Sequence, residues 1–285
     1  MDNLIAAAAK IERVVSAADK ERKGNIMVAT GRGGTGKSTF VALATRYLAS
    51  PLLLLDIDPD QSLADMLGVD LEAVRIKTEI GREVGIKTLS DLTSDIEEED
   101  AFTELGGGPP TVKLPLLLQW YARYTSEKFD LISLGPRWTE GDYRSANFLF
   151  EFVIPNIGGD YANIAVDSPA GLEHLNRRVT PDIDDLFLML DPSRKSLKHV
   201  ERVLRITKEV GINYKHLYLV GNHEFDDEAG QWLRQTGQTY LGKMDYDANV
   251  KAYNLKGKSL LELPDSSPAC LSVKRILAQA GCKTG

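Results

Sequence analysis

Apolar residues gather along this chain in short, unbroken runs separated by polar, glycine-rich or proline-rich stretches. The runs are NIMVAT (25–30), PLLLLDI (51–57), FDLISLG (129–135), YANIAVD (161–167), DLFLML (185–190) and HLYLVGN (216–222). Each meets Gly, Pro or Asp at its end and then a helical or loop segment. A strand buried on both faces reads as a continuous apolar run, so strands of this kind alternating with helices predict an α/β fold. The expected core is a mostly parallel central sheet with helices on both faces. Residues 3–20 place Ile5, Ala8, Ile11, Val15 and Ala18 at helical spacing, which predicts an amphipathic helix packed on the domain; a mobile extension is the competing reading. Lys23 and Gly24 break it, so residues 1–24 read as an N-terminal helical extension and 25–285 as a single domain. Residues 68–115 are irregular, with a solvated acidic face at EEED (97–100) and a loop at GGGPP (106–110), and read as an insertion. KLPLLLQWYARYTSEKFD (113–130) predicts a helix leading into the next strand.

Composition narrows the setting. Hydrophobic content of 43% and charged content of 26% are ordinary for a globular chain. A net charge of −7 argues against a broad nucleic-acid footprint, and no nucleic-acid partner is expected. No apolar run reaches the length of a membrane span, and the first residues carry Asp2 where a secretory signal wants positive charge, so no membrane partner is expected. The two cysteines, Cys270 and Cys282, form neither a disulfide framework nor a CxxC pair. A cytoplasmic location follows from these features.

The chemistry is concentrated in VATGRGGTGKSTFVA (28–42). Gly31, Gly36, Lys37 and Ser38 fall at phosphate-loop spacing between a predicted strand and a predicted helix, STFVALATRYLA. Glycines let backbone N–H groups turn inward on phosphates, and the helix start adds its positive dipole. Gly33, Gly34, Thr35 and Gly36 would cradle the phosphates, and Lys37 would reach the β- and γ-oxygens. Ser38 would hold Mg²⁺, with Thr39 on a phosphate deeper in the nucleotide. LLLLDIDPDQ (52–61) adds Asp56 and Asp58 at a strand end, where carboxylates hold Mg²⁺ waters and orient an attacking water. Capping of the following helix is the alternative role for such aspartates.

GRGGTGKST resembles the deviant phosphate loop, GKGGxGKS/T, of the MinD/ParA/nitrogenase-iron-protein superfamily, the SIMIBI class of P-loop NTPases. The resemblance implies that the residue at position 32 crosses a dimer interface to the partner's nucleotide. Arginine stands there instead of lysine, and a guanidinium also stabilises charge on a transferring phosphoryl group. The implied catalytic set is Arg32, Lys37 and Asp58, with Asp56 behind the Mg²⁺ waters. VDSPAGLEH (166–174) resembles the second switch, which gives Asp167 a water-mediated contact to Mg²⁺ and Gly171 a γ-phosphate contact through its N–H. VGNH (220–223) resembles the adenine-reading strand end, which assigns Asn222 to the base and leaves His223 as a surface residue. KMDYDANV (243–250) resembles the loop that closes over the base; a plain turn is the other reading.

DIDPDQSLADMLGV, GDYRSANFL, DSPAGLEHLNRR, DPSRKSLK and GKSLLELPDSSPA look like the ATPases that help insert nickel into carbon monoxide dehydrogenase and acetyl-CoA synthase. That family carries a metal-binding Cys-x-Cys where Asp142 and Arg144 stand here, so no metal site of that type is expected. The resemblance implies a homodimeric switch that binds and hydrolyses ATP with Mg²⁺ and acts on a client metalloenzyme or accessory protein. Two alternatives stay open. A partition or positioning ATPase would need DNA binding or a membrane-directed helix, for which PACLSVKRILAQAG (268–281) is the candidate stretch. A nucleotide-dependent binding module would turn over little.

Overall fold

The computed structural model describes residues 24–77, 83–86, 88–89, 122–135, 154–170 and 182–285. In chain order the elements are β1 (Asn25–Gly31), α1 (Lys37–Ala44), β2 (Leu52–Asp56), α2 (Ser62–Met66), β3 (Arg75–Lys77) and β4 (Glu83–Gly85). Next come β5 (Arg123–Thr125), β6 (Asp130–Ser133), α3 (Ile154–Ile157), β7 (Asn163–Asp167), β8 (Asp182–Leu190) and α4 (Arg194–Val210). The chain closes with β9 (Asn213–Gly221), α5 (Asp227–Arg234), β10 (Thr239–Lys243), α6 (Ala248–Leu255) and α7 (Pro268–Ala280). Eight strands form one sheet in the order β10-β9-β8-β1-β7-β2-β6-β5. Every pairing in it is parallel except β5 with β6.

The unbroken apolar runs are the strands, because each one feeds two cores. Ile26, Val28, Leu53, Leu55, Ile164, Val166, Leu186 and Leu188 face one side, where Val200, Val203 and Ile206 of α4 meet them. Met27, Ala29, Leu52, Leu54, Ala165, Phe187 and Met189 face the other, against Phe40 and Leu43 of α1 and Val273, Ile276 and Leu277 of α7. Successive strand residues point to opposite faces, so a strand covered on both sides has no polar alternation to show. Ala269, Cys270, Val273, Ile276 and Leu277 of α7 are buried while Leu271 is 51% exposed, so the stretch 268–281 packs on the domain as a closing helix. Ser267 accepts from the Cys270 N–H at its start, Pro268 sits in the first turn, and Gly281 ends it in the left-handed region.

Four strands depart from expectation. Arg123–Thr125 is an antiparallel edge strand, within the stretch 113–130 that was expected to carry a helix leading into the next strand; residues 113–121 of that stretch lie outside the described residues. Ser126 turns the chain by exchanging hydrogen bonds with Phe129, and Tyr124 packs on Phe129 at 6.0 Å. Pairing with β6 overrides a helical propensity there. β10 was not expected because only Leu241 of its residues is buried. The short antiparallel pair β3–β4 lies within the predicted insertion. The expected N-terminal helix, residues 1–23, lies outside the described residues.

Candidate functional site

Because β1, β2, β7, β8 and β9 are parallel, their carboxyl ends open on one edge of the sheet, and Gly31, Asp56, Asp167, Asp191 and Asn222 all lie there. The phosphate loop leaves β1 at Gly31, whose φ of 150° and closeness to β8 both demand glycine. A Cβ at that position would sit 2.4 Å from the Met189 carbonyl. The loop enters α1 through Gly36 at φ 89°, and α1 begins with no side-chain cap and no acidic residue in its first turn. Its free N–H groups and dipole are therefore directed at whatever anion the loop holds.

Lys37 is 6% exposed. Its Nζ donates to the Arg32 carbonyl at 3.2 Å, and Thr35 Oγ1 donates to the same oxygen at 2.8 Å. Burial lowers the Lys37 pKa, and the carboxylates of Asp167 and Asp58 pull it back up. The Thr39 hydroxyl lies 3.7 Å from Met66 Sδ of α2.

Asp56 and Asp167 are register partners on adjacent strands, and both are 0% exposed. Asp56 Oδ1 accepts the Asp58 N–H at 3.2 Å, while Asp56 Oδ2 and both Asp167 oxygens have no hydrogen-bond partner. Burial, and then the neighbouring Asp167 charge, push Asp56 well above the usual carboxylate range. Burial raises Asp167 to about 7; Ser38 and Lys37 favour its charged form and Asp58 opposes it. Two adjacent, buried, half-orphaned carboxylates are costly unless a cation joins them. Among the described residues no three His, Cys, Asp or Glu side chains converge as a metal cage. The donor set therefore fits Mg²⁺, which keeps waters and phosphate oxygens and takes few protein ligands. Ser38, Asp56, Asp58 and Asp167 are the candidates that could hold it.

Asp58 is half-buried in a tight turn. Its Oδ1 accepts the Asp60 N–H at 3.1 Å and its carbonyl accepts the Gln61 N–H. Gln61 adopts the left-handed region at φ 51°, and its Nε2 donates to Ser133 Oγ at the end of β6. Asn222 is 4% exposed; its N–H donates to the Leu190 carbonyl and its Oδ1 accepts the Glu224 N–H at 3.1 Å. The loop after β10 completes this corner. Met244 N–H donates to the Gly221 carbonyl, and a Cβ on Gly36 would lie 2.6 Å from Met244 Cε. The His223 and Tyr246 rings meet at 5.6 Å on its rim.

Most of the predicted site thus converges. Gly171, Asp142 and Arg144 lie outside the described residues. Met244 lies in the loop 243–250 that the sequence set over the base, and two further neighbours were given no role from sequence. Asp191 pairs with Arg32 at 3.2 Å, and His199 of α4 is buried with an unpartnered Nε2. Burial, then the charges of Arg32 and Arg202, lower the His199 pKa. The one available signal was an aspartate directly after an apolar run, in DPSRKS.

Residues 26–261 match the family described as the CobQ/CobB/MinD/ParA nucleotide binding domain. An uncharacterized ATP-binding protein of Methanocaldococcus jannaschii is 27% identical over 257 residues, which span 88% of this chain and 96% of that protein. The carbon monoxide dehydrogenase accessory protein CooC of Rhodospirillum rubrum is 25% identical over 252 residues, 85% of this chain and 90% of that one. A ParA family ATPase from Chlorobium tepidum shares the fold, with a TM-score of 0.62 at 16% identity over 91% of this chain and 99% of that chain.

Proposed function

The chain belongs to the CobQ/CobB/MinD/ParA nucleotide-binding family, and from that premise we propose that it is an ATP-hydrolysing dimeric switch. The observation that carries the reading is the pair Asp56 and Asp167, buried with three of four oxygens lacking a hydrogen-bond partner beside the amino end of α1, where the Lys37 charge acts on Asp167. Mg²⁺ held there by Ser38, Asp56 and Asp167 would neutralise charge on the nucleotide's phosphates. The backbone of Gly33–Thr35 cradles those phosphates and Lys37 draws their charge inward. Asp58 orients the attacking water, and Asn222 reads the base under the Met244 loop. Gly171 senses the γ-phosphate, which makes the two switches report hydrolysis. Arg32 of one copy stabilises the charge on the phosphoryl group transferred in the other. Residues 25–285 act as one domain in the cytoplasm, and the likeness to CooC supports a client metalloenzyme or its accessory protein as the target.

Mixing two inactive variants tests the reading. Neither Arg32→Ala nor Lys37→Ala should turn over alone, and Lys37→Ala should also lose ATP affinity in a direct titration. Together they should form one composite site, with Lys37 from one chain and Arg32 from the other, and recover part of the wild-type rate. Demonstrated heterodimers with no turnover would refute the trans role of Arg32.

A further inference from the structure

Arg32 is held twice within its own chain. Its carbonyl accepts from Lys37 Nζ and Thr35 Oγ1, and its guanidinium Nη1 lies 3.2 Å from Asp191 Oδ2. Asp191 is immobilised in turn. Its Oδ1 accepts the Ser193 N–H at 2.9 Å and the Ser196 hydroxyl at 3.1 Å. One carboxylate oxygen is thereby committed to the start of α4, and the other is left for a cation. Burial works against the ionised form, but the Ser193 and Ser196 hydrogen bonds and the Arg32 charge hold the carboxyl below its ordinary range. The Arg32 charge also reaches buried His199, together with those of Arg202 and Lys37.

We propose that Asp191 is a latch that keeps Arg32 in its own subunit, so that the closed dimer forms only by exchanging this ion pair for the nucleotide of the other copy. The inference rests on the reading of Arg32 as a residue acting across a two-fold interface. Geometry supports an exchangeable contact and not a structural one. The Arg32 side chain is 42% exposed and Asp191 24%, so the pair sits at the surface, and only Nη1 of the guanidinium is engaged. An exposed ion pair shifts an equilibrium by up to about fivefold, and a two-fold dimer breaks two of them, so releasing both tightens association by about 2- to 25-fold. Lys37 links the latch to the nucleotide, because phosphates compete with the Arg32 carbonyl for its ammonium.

Sedimentation velocity of the full chain with Mg²⁺ and a non-hydrolysable ATP analogue, across a protein dilution series, tests this. Asp191→Asn keeps an oxygen for Ser193 and Ser196 while removing the charge, so the fold should survive, with thermal melting as the check. This variant should dimerise at about 2- to 25-fold lower concentration than wild type. The gain should vanish when Arg32→Ala is added, because the latch then has nothing to hold. Ser196→Ala, which loosens the carboxylate, should give a smaller shift in the same direction. Unchanged or weaker dimerisation of Asp191→Asn, with Arg32 intact and wild type dimerising, would overturn the latch alone. Absence of any analogue-dependent dimer in wild type would overturn the dimeric switch, and the latch with it.

Discussion

Asp167→Asn should make the protein more stable while ending its chemistry, and the size of the gain should depend on pH. Asp167 is 0% exposed, both its oxygens lack partners, and burial lifts its pKa from 3.8 to about 7. Below pH 3.8 the folded and unfolded chains both hold the proton, so the group contributes nothing. Between 3.8 and about 7 the folded chain keeps a proton that the unfolded chain has lost, so stability falls as pH rises. Above that window the full cost applies, about 4 kcal/mol. The asparagine amide removes the charge but remains a buried polar group without partners, which costs about 1–3 kcal/mol. The net gain is about 1–3 kcal/mol at pH 8, or a rise of about 2–12 °C in Tm for a domain of this size. Loss of the Asp167 charge also relieves Asp56, so the lower end of that range is conservative. The assay is differential scanning fluorimetry in a chelator at pH 5 and pH 8, repeated with Mg²⁺ and ATP. Wild type should gain about 2.7 kcal/mol at a ligand concentration 100 times Kd, and Asp167→Asn far less. If the variant were less stable than wild type at pH 8, or equally shifted at both pH values, the buried-charge argument would be wrong.

Asp58→Ala should keep ATP affinity in a direct titration and lose turnover in kcat, because orienting a water matters chiefly in the transition state; an unchanged kcat would remove Asp58 from the mechanism. Burial and the nearby Asp185 carboxylate push the Cys282 thiol up to about 12, so iodoacetamide should leave it unmodified at pH 8 in the folded protein and label it in denaturant. Asp184→Ala should lower stability by about 1–3 kcal/mol, because the buried Ile26 N–H loses its acceptor. Its ATP affinity should match wild type, since Asp184 sits at the end of β8 opposite the candidate site; a melting curve and a titration on one preparation would check both halves.

What sequence revealed and what it hid divide along a physical line. The central strands were legible because each is buried on two faces, and that leaves an apolar run in one dimension. The phosphate loop was legible because the positive φ at Gly31, Gly34 and Gly36 fixes glycine at set spacings. β5 and β10 were hidden, since they exist by pairing at the sheet's two edges and carry no two-sided burial. The contact between Arg32 and Asp191 joins residues 159 apart in sequence, and no local pattern encodes it. Asp56 was readable as a candidate from its place at a strand end, but its strain was not. That strain depends on β2 lying beside β7 in the register that sets Asp56 opposite Asp167.

The same sheet buries two pairs of aspartates, and the contrast between them separates fold from function. At the amino end of β8, Asp184 accepts the Ile26 N–H at 2.7 Å and pairs with Lys215 at 2.7 Å. Asp185 accepts from Asn25 Nδ2 at 2.9 Å and meets His216 Nδ1 at 2.9 Å. These partners come from β1 and β9, so the pair keys β8 between its neighbours. At the carboxyl end, Asp56 and Asp167 are buried at least as deeply, yet three of their four oxygens lack a well-formed hydrogen bond, with only Ser38 and Lys37 near to favour a charged Asp167. Burying a carboxylate costs the same at either end of a sheet, so the difference lies in what each pair awaits. A chain able to surround Asp184 and Asp185 with donors had the means to do so again. At the edge where the glycine loop and the start of α1 present their N–H groups, the unfilled coordination is best explained by a partner that the protein does not itself supply. On the proposed reading, a divalent cation carrying a nucleotide would meet each requirement at once: positive charge for the carboxylates, phosphates for the loop, and a base for the corner around Asn222.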